Sequence, residues 1–161
     1  MKDSFFHTFN EYMKKEHNVL TASMEDYLEM IYRLSINDKF TRIKELASAL
    51  NVQPSSATKM VQRLSELKLL KYEKYGLIIF EEKGRVLGEL LYRRHIVVEE
   101  FFKLIGVGEE HILEDTEKVE HTISINTLNC FEHMTKFFKE NPENLKDYIN
   151  YLSKQGFKLK P

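Results

Sequence analysis

The chain has 161 residues, 42% hydrophobic and 30% charged, with a formal net charge of −1. It is long enough to bury a core, too apolar for a disordered chain, and too balanced in charge for that balance to name a partner. A single cysteine, Cys130, excludes an internal disulfide and fits a reducing, cytoplasmic setting. No segment approaches the ~20 apolar residues of a membrane span, and the charged stretch 1–18 does not read as a signal peptide.

Charge is unevenly spread. Between Thr41 and Tyr75 there are seven basic residues against three acidic; between Ile105 and His121 there are six carboxylates against one lysine. Such a chain can bind two different things through two segments. With only 6 Gly and 3 Pro, it reads as mostly helical.

Residues 1–20 are polar with scattered aromatics and read as an extra arm. A first helix is expected over 24–35, where Met24, Tyr27, Leu28, Ile31 and Leu34 fall at helical spacing. A second, over 42–50, carries Ile43, Leu46, Ala47 and Leu50. After a break at 51–53, Pro54 opens a third helix with a buried stripe of Ala57, Met60, Val61, Leu64 and Leu67. The run 69–80 places two β-rich segments around Gly76, a hairpin. A long helix follows over 83–105, ended by Gly106 and Gly108. Further helices are expected over 116–130 and 131–139, and a last one from Pro142 behind Asn141, a good cap.

Two short amphipathic helices, a tight break and a hairpin form a winged helix-turn-helix pattern. The third helix is the candidate recognition helix. It presents Ser55, Ser56, Thr58, Lys59, Gln62 and Arg63, with Lys74 near the wing tip. Hydroxyls and helix N-terminal amides suit phosphate oxygens, and Gln and Arg reach base edges. The same face can also be simply a solvated one.

Three segments carry a second constellation. Asp26 and Glu29 lie one turn apart on the first helix. His95 lies on the long helix. Glu117, Glu120 and His121, at i, i+3 and i+4, can converge on one point. Each has a plainer explanation: Ser23 can cap the first helix with Asp26 in a capping box, Glu117 can favour a helix N-terminus, and His95 sits among apolar neighbours. Together, four carboxylates and two imidazoles without thiolate form a hard, oxygen-rich donor set that suits manganese(II) or iron(II) and disfavours copper(I) and structural zinc. His7, His17, His111 and His133 read as surface or packing residues.

These segments resemble the diphtheria toxin repressor family, in its manganese transport regulator branch. The match is carried by Ser23-Met24-Glu25-Asp26-Tyr27-Leu28-Glu29, Pro54-Ser55-Ser56-Ala57-Thr58-Lys59-Met60-Val61, Tyr72-Glu73-Lys74-Tyr75, Tyr92-Arg93-Arg94-His95, Ile105-Gly106-Val107 and Val119-Glu120-His121. The resemblance implies a homodimer that binds operator DNA when manganese is present and represses manganese uptake. It places the metal ligands on Asp26, Glu29, His95, Glu117, Glu120 and His121, with two ions per subunit bridged by Glu29 and Glu117. The iron-sensing branch has Met where this chain has Asp26, Cys where it has Glu120, and usually an SH3-like domain for which no length remains. The chain departs from the family in its residues before Ser23, in Glu81 after the second wing strand, and at a wing tip where only Lys74 is basic.

The expected architecture is therefore mainly α: a winged helix-turn-helix domain over 1–82 and a helical metal-binding and dimerisation domain over 83–161. The expected function is a manganese(II)-activated repressor of palindromic operator DNA, not an enzyme and not a membrane protein. An iron(II)-responsive regulator is the first alternative. A di-metal hydrolase and a winged-helix sensor of an organic ligand are further ones.

Overall fold

The computed structural model describes residues 20–157; the expected arm at 1–20 and the histidines His7 and His17 lie essentially outside that range. The element order is α1 Ala22–Ser35, β1 Phe40–Arg42, α2 Ile43–Ala49, α3 Pro54–Glu66, β2 Leu70–Glu73, a 3-10 turn Lys74–Gly76, β3 Leu77–Phe80, α4 Glu82–Ile105, α5 Glu109–Glu120, α6 Ile125–Glu140 and α7 Pro142–Lys154. The chain divides into two compact units, Met1–Arg93 and Arg94–Pro161, and the division falls inside α4.

The first unit is a winged helix-turn-helix. Thr21, not Ser23, caps α1, its Oγ1 accepting from the Met24 amide at 3.3 Å. This sets Asp26 a full turn inside the helix and removes the capping-box explanation for it. The α1 stripe of Met24, Leu28 and Ile31 is buried with Leu46, Ala57, Val61, Leu64, Ile78, Leu87 and Leu91 in one core. Burial of side chains of this size stabilises the fold by roughly 1.5–3 kcal/mol each.

Both helices of the helix-turn-helix end in the same hydrogen-bonded motif. After α2, the Val52 amide donates to Ala47 O and the Asn51 amide to Ser48 O; after α3, the Leu69 amide donates to Leu64 O and the Lys68 amide to Ser65 O. The motif needs one left-handed residue, and Asn51 (φ 51°) and Lys68 (φ 58°) supply it. Lys39 (φ 61°) and Tyr75 (φ 64°) share that conformation.

The sheet has three strands, not the expected hairpin alone, in the order β1-β3-β2. β1 pairs antiparallel with β3 through Thr41 opposite Ile78. Thr41 is fully buried, and its hydroxyl donates to Glu45 Oε2 at 2.9 Å, while the Arg42 amide donates to the same oxygen at 3.1 Å. One carboxylate thus joins β1 to the first turn of α2. A short third strand of this kind leaves no alternation to read in sequence.

At the start of α4, Gly84 lies against the chain after α3: a Cβ built there falls 1.9 Å from the Leu69 carbonyl oxygen. Only hydrogen fits at that point.

In the second unit, Gly106 (φ 89°) ends α4, while Gly108 caps the start of α5. The expected helices over 116–130 and 131–139 are replaced by α5, a break, and one continuous α6. The break forms because Ser124 caps α6, its Oγ accepting from the Thr127 amide at 3.2 Å. Asn141 precedes α7 but does not cap it; its side-chain amide donates back to Phe137 O at 2.8 Å. Val97, Val98, Ile112 and Leu128 are the buried apolar residues here. Phe101 stacks on Phe131 at 3.9 Å between ring centroids, and Phe138 meets Tyr148 at 5.7 Å.

Candidate metal centre and nucleic-acid interface

In the second unit, α4 and α5 bring four of the expected ligands together. His95 Nδ1 lies 3.0 Å from Glu120 Oε2 and 3.8 Å from Glu117 Oε1, and His121 Nε2 lies 3.5 Å from Glu120 Oε1. His95 is 3% exposed and Glu120 1%. The Oε1 atom of Glu120 is buried and has no hydrogen-bond partner among the described residues. A buried carboxylate oxygen left in that condition is costly unless a cation meets it.

Glu117 and Glu120 sit in the last turn of α5, with His121 as its C-cap. They are not near a helix start, so the explanation of Glu117 as favouring an N-terminal dipole fails. At a helix C-terminus the dipole is negative and disfavours carboxylates. Two carboxylates and two imidazoles gathered at that end, one carboxylate with a buried oxygen that accepts no hydrogen bond, make a donor set that fits a hard divalent cation. Among the described residues, the clusters able to hold a metal contain no cysteine.

In the first unit, Asp26 and Glu29 are one turn apart on α1. Glu29 is 6% exposed and is ion-paired with Arg33 at 2.6 Å, whose guanidinium lies 5.3 Å from the centre of the Tyr92 ring. Sequence reading missed two arginines beside ligands: Arg33, and Arg94, whose Nη2 lies 3.0 Å from His121 Nδ1. The i,i+4 spacing of Glu29 and Arg33 was a usable signal; nothing local joins Arg94 to a residue on the next helix. His111 and His133 are exposed, as expected.

On α3, Ser55, Ser56, Lys59, Gln62 and Arg63 are exposed, whereas Thr58 is half-buried and its hydroxyl donates to Pro54 O at 2.8 Å. Thr58 can still accept but has no free proton to offer a phosphate. Lys74 is exposed in the turn joining β2 to β3, beside Tyr75, which is 92% exposed. The Arg42 guanidinium reaches Tyr75 O at 3.5 Å and ties this tip to the start of α2.

Two family models cover most of the chain: "Iron dependent repressor, N-terminal DNA binding domain" over residues 19–77, and "Iron dependent repressor, metal binding and dimerisation domain" over 81–148. The chain belongs to the iron-dependent repressor family. The HTH-type transcriptional regulator MntR of Oceanobacillus iheyensis is 42% identical over 79% of this chain and 86% of its own length. MntR of Bacillus subtilis is 42% identical over 79% and 89%. Among solved structures, the manganese regulator SloR superposes with a TM-score of 0.58 at 31% identity, covering 67% of this chain and 52% of that one. ScaR with bound Zn2+ gives 0.58 at 30% identity, covering 71% and 54%. The chain spans about half the length of these solved structures. A member of the iron-dependent repressor family is a metal-dependent, DNA-binding transcriptional regulator that works as a homodimer. No helix among the described residues is long and apolar enough to cross a membrane.

Proposed function

We propose that the protein is a manganese(II)-activated repressor that binds palindromic operator DNA and controls metal uptake. The observation that carries this reading is the carboxylate–imidazole cluster at the C-terminal end of α5, with its buried Glu120 oxygen that accepts no hydrogen bond. The hard donor set and the regulators named above for manganese support this metal; iron(II), the metal in the family's description, is the second reading. Asp26, Glu29, His95, Glu117, Glu120 and His121 are the proposed ligands, for two ions per subunit, with Glu29 and Glu117 as bridges. Held by these residues, the ions would supply the positive charge that keeps the carboxylates and imidazoles in place, and in a dimer would set the spacing of two α3 helices, which a palindrome demands. Ser55, Ser56 and Lys59 are the proposed phosphate contacts, Gln62 and Arg63 the proposed base readers, and Lys74 with the half-buried Thr58 plays a lesser part. The domain boundary proposed for this function is at 82/83. A regulator of this kind acts in the compartment that holds the chromosome.

The test uses a duplex selected by the protein from a random library in manganese(II), then titrated anaerobically with manganese, iron, cobalt and zinc. Manganese should give the strongest binding at matched free metal. Binding that survives exhaustive chelation would sink the metal-switch reading, and iron outranking manganese would favour the second reading. Turnover of phosphate esters by the loaded dimer would revive a hydrolase.

A further inference from the structure

We propose that Arg94 is a positioning residue that latches His121 in a form with no lone pair to offer a metal ion, so that metal binding at His121 has to displace it. The inference rests on the metal-regulated reading above, and it adds a device to that centre: an internal cation competing for one of its ligands.

Arg94 precedes His95 on α4 and is 3% exposed, with its Nη2 3.0 Å from His121 Nδ1. A guanidinium offers only N–H donors and stays charged throughout the accessible range. That settles the roles: Arg94 donates, Nδ1 of His121 accepts, and in a neutral ring the proton sits on Nε2. The other end of the ring is compatible with this: Nε2 lies 3.5 Å from Glu120 Oε1, too long for a hydrogen bond but on the side where an N–H meets a carboxylate rather than a cation. The imidazole is therefore held through Nδ1 by a donor, with Nε2 turned toward a carboxylate.

A ligating imidazole must present a lone pair to the metal. The usual partner of such a ring is an acceptor, a carboxylate or a carbonyl, which takes the N–H of the far nitrogen and leaves the near one bare. Arg94 has the opposite polarity. If the metal takes Nε2, the proton must move to Nδ1, and Nδ1–H then faces an N–H of Arg94, donor against donor. If the metal takes Nδ1, Arg94 must vacate it. Either route breaks the same contact and brings a dication close to a buried guanidinium.

Two measurements test this on the full-length dimer. In protein stripped of metal and labelled with 15N-histidine, two-bond proton–nitrogen couplings report the tautomer of each ring, and His121→Gln assigns the signal. His121 should be in the Nε2–H form. Manganese(II) affinity is then measured by competition with a fluorescent chelator. An amide can donate or accept, so Arg94→Gln releases the lock, and it should bind manganese about tenfold more tightly, the equivalent of one charge-assisted hydrogen bond. Arg94→Lys, still donor-only, should stay near the wild-type value. An Nδ1–H tautomer in the wild type overturns the latch whether or not the variants fold. So does unchanged or weaker affinity in an Arg94→Gln protein that melts and dimerises normally. Unchanged affinity in His121→Gln would remove His121 from the ligands and so fail the site assignment as well as the latch.

Discussion

Glu117 and Glu120 lie one turn apart on α5 but in different surroundings. The Glu120 side chain is fully buried, whereas Glu117 is 47% exposed. Exposure alone suggests that Glu117 matters less. The bridging role proposed for it reverses that ranking, because losing a terminal ligand weakens one ion while losing a bridge weakens both and leaves two cations facing each other without shared negative charge. Glu117→Ala should abolish manganese-dependent DNA binding while the fold and dimer persist, since nothing in the core rests on an exposed carboxylate. Electrophoretic mobility shift with circular dichroism as the folding control decides it; a variant that still responds to manganese within about threefold of wild type would remove Glu117 from the bridge.

Lys59 and Arg63 are exposed one turn apart on α3, far in function from the α5 cluster. Arg63→Ala should lower DNA affinity by about 1–3 kcal/mol if it reads a base, and Lys59→Ala should reduce the salt slope by about one if it meets a phosphate. Calorimetry should find manganese binding unchanged in both, and an equal loss of metal affinity would show that the two functions cannot be separated. Gly84 sets two effects against each other. Inside a helix, Ala is favoured over Gly by roughly 0.5–1 kcal/mol, but here the added methyl meets the Leu69 carbonyl, a backbone atom that cannot turn aside. Overpacking of this kind costs about 1–3 kcal/mol, so Gly84→Ala should lower the melting temperature; a rise would mean that helix propensity wins and that α4 can shift. The elements of the first unit were legible because α1, α2 and α3 carry apolar stripes of helical period and Pro54 marks a start. β1 was not, since three residues show no period and its pairing with β3 is fixed by a residue far along the chain. The start of α5 and the α5–α6 boundary were misplaced although Gly108 marked the first and Ser124 the second: a continuous run of helix-compatible residues through Thr122 and Ile123 hid the break. The ligand types were legible from spacing, but their position at a helix end, and Arg94 beside them, depend on contacts between helices.

The second unit leaves Met134, Phe137, Ile149, Tyr151 and Phe157 between 41% and 61% exposed, large apolar side chains that a partner surface would cover. Met134 and Phe137 fall within the match to the family's dimerisation domain, and the dimer should form without metal; sedimentation showing a monomer at micromolar concentration after chelation would mean that metal drives assembly as well as DNA binding. The left-handed residues of the first unit bear on the molecule as a search device. Lys39 and Lys68 occupy backbone conformations that cost a non-glycine residue about 1–3 kcal/mol, yet the chain carries lysine at both. Glycine there would relax the turn and discard a positive charge on the DNA-reading unit. Positive charge on such a surface speeds diffusional capture of a polyanion. Lys68→Gly should therefore melt no lower than wild type, yet associate with DNA more slowly in stopped-flow at low salt, a difference that fades as ionic strength rises. A slower association that persists in high salt would trace the effect to shape rather than field. On this view the turns of the reading head are kept under strain for the sake of encounter rate, and a more relaxed repressor would be slower to find its operator.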